Sequence, residues 1–122
     1  MAKERHTTSP SDFRYFEREV RKAARRWTVD SEIDLRVRHG DAADGALASA
    51  RLQDTKRIAT VCLAKKWENN AVTRGQLREC ARHEVVHVVL APIACKIATY
   101  CTPDEATESE ERVVQRLLKV LP

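Results

Sequence analysis

Several features that mark common protein classes are scarce or missing in this chain of 122 residues. Aromatic residues make up only 5%, glycine occurs three times, and no glycine-rich or aromatic-interleaved basic motif indicates nucleic-acid binding. No apolar run is long enough to span a membrane, and the polar segment 1–11 lacks the apolar core of a signal peptide. The sequence therefore predicts a cytoplasmic protein without a membrane partner, and it does not favour a nucleic-acid partner.

Paired cysteine motifs are also missing. The four cysteines show no C-x-x-C spacing and lie in apolar segments, which predicts reduced and buried thiols. They are Cys62, Cys80, Cys95 and Cys101. Cys80 precedes His83 and His87 at a spacing that a Cys/His zinc site can use, but no natural fourth cysteine accompanies them.

The overall composition is that of a folded protein. Hydrophobic residues make up 43% and charged residues 33%, which is typical of a globular chain. The length predicts a single domain over residues 1–122, with a flexible tail at residues 1–8. The formal net charge is +4, and much of the excess lies in residues 21–26. Such a run most often forms a solvated helix face, so an acidic or nucleic-acid partner is the less favoured interpretation.

The most specific pattern is His83-Glu84-Val85-Val86-His87, which reads H-E-x-x-H. Four residues advance a helix by about 400°, so the two histidines lie one turn apart on one face. Two imidazoles at this spacing can bind one Zn²⁺ ion, and Glu84 beside them can take a proton from metal-bound water. The apolar residues around the motif predict a buried helix. Because burying unpaired His and Glu is costly, a metal site is favoured over a pair of core histidines.

Capping and periodicity signals predict the order of the secondary-structure elements. Ser9 and Pro10 begin an amphipathic helix. Alternation in residues 33–37, and more weakly in residues 47–52, indicates two half-buried strands, and the apolar run 58–64 predicts an interior strand.

Two further helices complete this order. Thr73 caps the helix that carries the motif, and Pro92 interrupts its hydrogen bonding after Ala91. Residues 93–100 then continue either as a short helical turn or as a kinked extension of the helix. Thr102 begins the last helix, which runs to about Leu121. The residues expected to face inward on this helix are Val113, Val114, Leu117, Leu118 and Leu121.

This arrangement resembles the minimal zincin scaffold, and especially the small gluzincin-like metallopeptidases of phage and microbial genomes. The resemblance covers residues 9–121, and its one specific motif is the H-E-x-x-H sequence at residues 83–87. It implies an α+β fold in which an N-terminal helix, a three-stranded and mainly antiparallel sheet and the motif helix are followed by a closing helix. In gluzincins that closing helix carries a glutamate as the third zinc ligand.

Two neighbouring glutamates compete for the role of third ligand. Periodicity places Glu110 over the centre of the apolar face of the last helix, whereas the gluzincin-like pattern points to Glu111. Glu105 and Glu108 are weaker candidates, because acids near a helix N-terminus are usually solvated. The predicted zinc ligands are His83, His87 and Glu111, with Glu110 as the main alternative.

The chain also departs from the pattern of the larger gluzincins. Gln115 stands where they carry an aspartate that orients a zinc-bound histidine, so Asp54 or a backbone carbonyl would have to take that role. His39 and Tyr100 are the only plausible donors to an oxyanion.

The expected function is zinc-dependent hydrolysis of a peptide or protein substrate, with Glu84 as the general base. The expected location is the cytoplasm, or the host cytoplasm if the protein is phage-encoded. The alternative is a non-catalytic binding or regulatory module with a structural zinc site, because 122 residues leave little wall for a substrate cleft. The sequence does not predict an oligomeric state.

Overall fold

A computed structural model describes residues 4–42 and 45–122, with every side chain in these ranges except that of Asp54. The elements are, in chain order, α1 (Pro10–Arg26), β1 (Asp34–Gly40), β2 (Ala48–Gln53), β3 (Ile58–Ala64), α2 (Arg74–Ile97) and α3 (Pro103–Val120). The α+β class and the predicted order of elements are therefore confirmed.

The first helix begins where its capping residues predict. The Ser9 hydroxyl accepts a hydrogen bond from the Asp12 backbone N–H, and the Asp12 carboxylate accepts one from the Ser9 N–H. Pro10 occupies the first helical position, where no N–H donor is needed. Phe16 and Val20 lie one turn apart and are fully buried, so they anchor α1 to the hydrophobic core.

The sheet is mixed, whereas a mainly antiparallel sheet was expected. β3 lies in the centre, parallel to β1 and antiparallel to β2. Val61 on one face of β3 and Cys62 on the other are both buried, so the strand is covered on both sides and suits a central place. Because β3 inserts between β1 and β2 instead of following β2 at an edge, one of the two strand pairs is parallel.

Residues 5–8 are bonded to the fold, although the sequence predicts a flexible tail there. The Thr8 N–H donates to the Lys65 carbonyl at 2.8 Å, and the Trp67 N–H donates to the His6 carbonyl at 2.7 Å. These partners lie far away in sequence, immediately after β3, so the local composition of the N-terminus does not reveal them.

The motif helix continues through Pro92 to Ile97, so of the two continuations left open by the sequence, the extension of the helix is the one observed. A proline inside a helix removes one hydrogen bond and costs about 3 kcal/mol. Ala94, in the last turns of α2, lines the same cleft as Ala106 of α3. We infer that packing between these two helices offsets the cost of the proline.

Burial of the helix around the motif is incomplete. Val85, Val86 and Val88 are buried, but Val89 is 40% exposed. The prediction of a helix buried nearly all round is wrong at Val89, because α1, β2 and α3 pack against other sides of α2.

The closing helix is also only partly inward-facing. Its start is fixed by a capping box between Thr102 and Glu105. Val114 is fully buried, but Val113, about 100° away around the helix, is 43% exposed and does not face inward as expected. None of the helices in the described ranges is long and apolar enough to cross a membrane.

Candidate metal centre

Two antiparallel helices bring the titratable residues of the site together. His83, Glu84 and His87 lie within two turns of α2, and Glu110 and Glu111 lie on α3 opposite them. Val114 lies about one turn after these glutamates and is fully buried. The side of α3 that carries the glutamates therefore faces α2.

The two imidazoles and the Glu111 carboxylate converge on one point. The Nε2 atoms of His83 and His87 are 3.1 Å apart. Glu111 Oε1 lies 2.8 Å from His87 Nε2, and Glu111 Oε2 lies 3.4 Å from His83 Nε2. Glu110 does not join this point, because its Oε2 contacts Nδ1 on the other side of the His87 ring.

Glu110 determines which nitrogen of His87 carries the proton. An ionised carboxylate can only accept, so His87 Nδ1–H donates to Glu110 Oε2. In the neutral imidazole, Nε2 then carries a lone pair, and this lone pair faces the Glu111 carboxylate at 2.8 Å. A positive charge between these two atoms would stabilise this arrangement, and a proton or a metal ion can supply it.

The spacing of the three groups fits a tetrahedral metal ion. Bonds of about 2.0–2.2 Å at tetrahedral angles hold the ligand atoms roughly 3.3 Å apart, close to the separations found here. In residues 4–42 and 45–122, His83, His87 and Glu111 form the one group of three potential ligands, with ligand atoms within 4.8 Å of one another. This group can hold a metal ion.

Glu84 is the buried acid next to this group. It is 8% exposed, and it forms no hydrogen bond or ion pair with any residue that the structure describes. Burial, together with the charges of Glu111 and Glu110, raises the pKa of Glu84 to about 8. Burial and the neighbouring His87 lower the pKa of His83, which favours the neutral imidazole that metal ions bind.

A cleft of about 410 Å³ opens beside His87, between β2, the last turns of α2 and the start of α3. Its walls are mostly small and apolar, formed by Ala50, Leu52, Val88, Ala91, Ala94, Ala98 and Ala106. The polar side chains on its walls include Arg51, Thr107 and Glu110. β2 is an edge strand, so one of its backbone edges is left unpaired by the sheet.

The weaker candidates for the third ligand have other contacts. Glu105 caps α3 by accepting hydrogen bonds from Thr102. Glu108 forms an ion pair with Arg112 at 2.8 Å, one turn along the helix. Both are exposed, as the general behaviour of acids near a helix N-terminus predicts.

The residues suggested as oxyanion donors make no contact with His83, His87 and Glu111, which are named here the metal group. His39 stacks on Phe13 with ring centroids 5.1 Å apart, and its Nε2 is 2.7 Å from the Thr8 hydroxyl. Tyr100 is 90% exposed at the end of α2. The side chain of Asp54, suggested as a residue that orients a ligand, lies outside the described part of the structure.

The cysteines add no ligand to the group. All four are free, as the sequence predicts, but only Cys62 is buried as expected, since Cys80 and Cys101 are partly exposed and Cys95 is exposed. Cys80 is absent from the three-ligand group, and burial with the nearby charges of Glu84 and Glu79 raises its thiol pKa to about 11. A metal-binding thiol must lose its proton, so a high pKa disfavours this role.

Comparison of the chain with protein-family models, with curated proteins and with solved structures gives no match. The interpretation of the site therefore depends on its own geometry. Sequence reasoning missed the contact of Glu110 with His87, and it missed Arg51 and Thr107 in the cleft. The inward position of Glu110 was visible in the periodicity, but no local signal distinguishes a residue that binds a metal from one that orients a ligand.

Proposed function

We propose that this protein is a zinc-dependent peptidase of the zincin type, in which His83, His87 and Glu111 hold the metal. One observation carries the proposal. The Nε2 atoms of the two imidazoles and the carboxylate oxygens of Glu111 lie 2.8–3.4 Å from one another, beside a buried Glu84 that no described residue pairs with.

Zinc is the metal that this donor set suits best. Two imidazole nitrogens and one carboxylate at tetrahedral spacing form a three-ligand site, which leaves a fourth position open. When bound, zinc supplies a Lewis acid that polarises a substrate carbonyl, and it lowers the pKa of a water to about 7.

The side chains of the protein carry the proton transfers. Glu84 stands next to His83 on α2. Zinc bound beside it would lower its raised pKa, and the ionised Glu84 would then act as the general base that accepts the proton of the attacking water. It can then give this proton to the leaving amine. Glu110 holds His87 in the tautomer whose Nε2 is free to bind the metal, which is the contribution expected of a carboxylate behind a ligating imidazole.

The cleft beside His87 offers a place for the substrate. An extended peptide can pair with the free edge of β2 through backbone hydrogen bonds. The alanines and Leu52 on the cleft wall would then contact an apolar side chain next to the cleaved bond. Arg51 is the cation on this wall, and we assign to it the binding of a substrate carbonyl.

The test is cleavage of a peptide library by the zinc-loaded protein, with the products identified by mass spectrometry. We expect cleavage that requires zinc, is lost in Glu84→Gln, and favours an apolar residue on one side of the cut. Glu84→Gln is the matched control, because it removes the base but none of the three ligands. Equal cleavage by the wild type and Glu84→Gln would contradict the proposal.

The alternative, a non-catalytic module with a structural zinc site, has one observation in its favour. Neither His39 nor Tyr100 lies at the metal group, and so neither can stabilise an oxyanion there. Under this alternative the protein binds zinc, cleaves no member of the library, and keeps its cellular effect in the Glu84→Gln variant.

A further inference from the structure

Two rows of basic residues run side by side on the surface formed by α1 and the first half of α2. Within each row the residues are four positions apart, so they lie on one side of their helix with about 6 Å between successive residues. The two rows, named here the basic face, are Arg18, Lys22 and Arg26 on α1 and Arg74, Arg78 and Arg82 on α2.

Contacts between the helices show that the two rows are neighbours. Arg18 and Arg74, one from each row, both lie over the Tyr15 ring, with guanidinium carbons 5.5 Å and 4.6 Å from its centroid. At the other end, one shallow groove is lined by Lys22, Arg26, Arg78 and Arg82. The sequence reveals only the α1 run, because the α2 row lies about fifty positions later and joins it only through folding.

The basic face has almost no counter-charge of its own. None of its six residues forms an ion pair within the part of the chain that the structure describes. Arg82 donates to the backbone carbonyl of Leu121 and to a backbone oxygen of Pro122. Glu19 is the single acid among the residues that line the groove. Any ion partner of the basic face therefore comes from outside the described residues.

The aromatic rings help to fix the guanidinium groups. Tyr15 contacts two of them, and the Trp27 ring lies 5.3 Å from the Arg82 guanidinium carbon. Such cation–π contacts restrict the long arginine side chains before any partner binds. They also occupy the Tyr15 ring, so the rings are poor platforms for stacking nucleobases.

The shape and chemistry of the basic face exclude some classes of partner. The groove encloses only about 20 Å³, too little to surround a small anion. Stable protein interfaces need apolar anchors among their charges. The exposed large hydrophobic residues all lie elsewhere, at Val89, Ile93, Ile97, Tyr100, Val113 and Val120. What remains is an extended polyanion with regularly repeated charges.

We propose that the basic face binds the phosphate backbone of nucleic acid without reading its sequence. Five of the six residues are arginines, whose forked donors match phosphate oxygens in a bidentate geometry. The acids of α3 between Asp104 and Glu111 repel phosphates, so the polyanion binds by the α1–α2 surface and leaves the metal group free. This binding is independent of the proposed peptidase activity.

The test is fluorescence anisotropy with labelled oligonucleotides of random sequence, single-stranded and double-stranded. We expect affinity that falls about 100-fold when the salt rises from about 50 to about 200 mM, as for four or so phosphate contacts. The double variant Arg26→Gln/Arg78→Gln should bind at least about tenfold more weakly and reduce the salt slope by about two. The matched control Arg36→Gln/Arg112→Gln removes two exposed arginines that have acidic partners elsewhere, and it should leave binding unchanged.

Three outcomes would overturn the proposal. The first is equal loss of affinity in both double variants, which would indicate attraction by net charge alone. The second is competition by polyglutamate as strong as that by an oligonucleotide of equal charge, which would indicate an acidic polypeptide partner. The third is no binding at low salt by a folded protein. Melting curves confirm folding of each variant, and the Glu111→Ala protein, which lacks the metal ligand, should bind nucleic acid like the wild type.

Discussion

The two sides of α2 carry clusters of opposite charge. On one side, the acids of α3 approach His83, Glu84 and His87, and Glu111 Oε1 lies 2.8 Å from His87 Nε2. On the other side, Arg74, Arg78 and the residues of α1 form a row of cations without ion-pair partners among the described residues. The same helix thus separates a group of residues that can hold a cation from a surface that can attract an anion.

The two sides differ in how closely the charges are fixed. At the metal group, buried Val86 and Val114 hold the helices so that the ligand atoms converge within 4.8 Å. The basic face is exposed and its charges are spread over three turns of each helix. Burial makes an uncompensated charge costly, whereas water screens an exposed one. We therefore expect changes at the metal group to affect folding as well as function, and changes at the basic face to affect binding alone.

The largest expected effect separates the metal from the chemistry. Glu84→Gln should lower peptide cleavage by about 10²–10⁴-fold, the range for loss of a general base, while zinc content stays at the wild-type level. Cleavage rates and metal analysis on the same preparation check this. A variant that lost its zinc would show that Glu84 supports the metal instead of the reaction.

Glu111→Ala, which removes the proposed third ligand, should weaken zinc binding by more than about 100-fold. This loss exceeds the one expected when a residue that only hydrogen-bonds a ligand is changed. In the wild type, chelation should lower the melting temperature by several degrees, because zinc at about 100 times its Kd stabilises the fold by about 2.7 kcal/mol. Glu111→Ala should abolish this shift. The matched control is Glu108→Ala on the same helix, whose partner Arg112 is exposed. A zinc-dependent shift retained in Glu111→Ala would remove Glu111 from the ligand set.

Glu110→Ala should weaken zinc binding by about 10–100-fold without abolishing it, because Glu110 orients His87 and does not bind the metal itself. Zinc titration of Glu110→Ala and Glu111→Ala side by side measures the difference. If Glu110→Ala is the more severe change, the two glutamates exchange roles.

Arg26→Gln/Arg78→Gln should leave the zinc affinity at the wild-type value, which tests whether the two sides of α2 are independent.

The smallest expected effect is the contribution of His39, which lies outside both sides of α2, to the pH dependence of stability. Burial, and then the charge of Lys65, lower the pKa of His39 in the folded protein. Between the folded and unfolded pKa values, the unfolded chain binds more protons, so His39 makes stability fall as the pH drops below about 6.5. His39→Gln should flatten this part of the stability curve, measured by urea unfolding across pH. His6→Gln, at a more exposed position, is the control, and parallel curves for wild type and His39→Gln would contradict the assignment.

Local signals in the sequence predict most of the elements but not how they pair. Capping at Ser9, Thr73 and Thr102 and the apolar run 58–64 place the helix starts and the central strand where they are observed. The mixed sheet was not predicted, because strand order depends on contacts between distant segments. The sequence left the continuation of α2 past Pro92 open for the same reason, since its support comes from α3.

The candidate site shows a similar division. The spacing of His83 and His87 on a helix is local, and the structure brings both histidines together with Glu111. The roles of Glu110 and Glu111 depend on the rotation of α3 against α2, which no pattern in α3 alone can determine. The α2 arginines lie in the segment that carries the two histidines, and they join the α1 row only when the chain folds.

The proposed zinc centre can be tested most directly by X-ray absorption at the zinc edge. The protein is first stripped with a chelator and then reloaded with zinc. We expect one zinc ion per chain, coordinated by nitrogen and oxygen at about 2.0–2.2 Å, with the two imidazole contributions of His83 and His87. Replacement of Glu111 should remove an oxygen ligand or the metal. Zinc that the reloaded protein fails to retain, or a sulfur ligand at about 2.3 Å, would contradict the proposed centre.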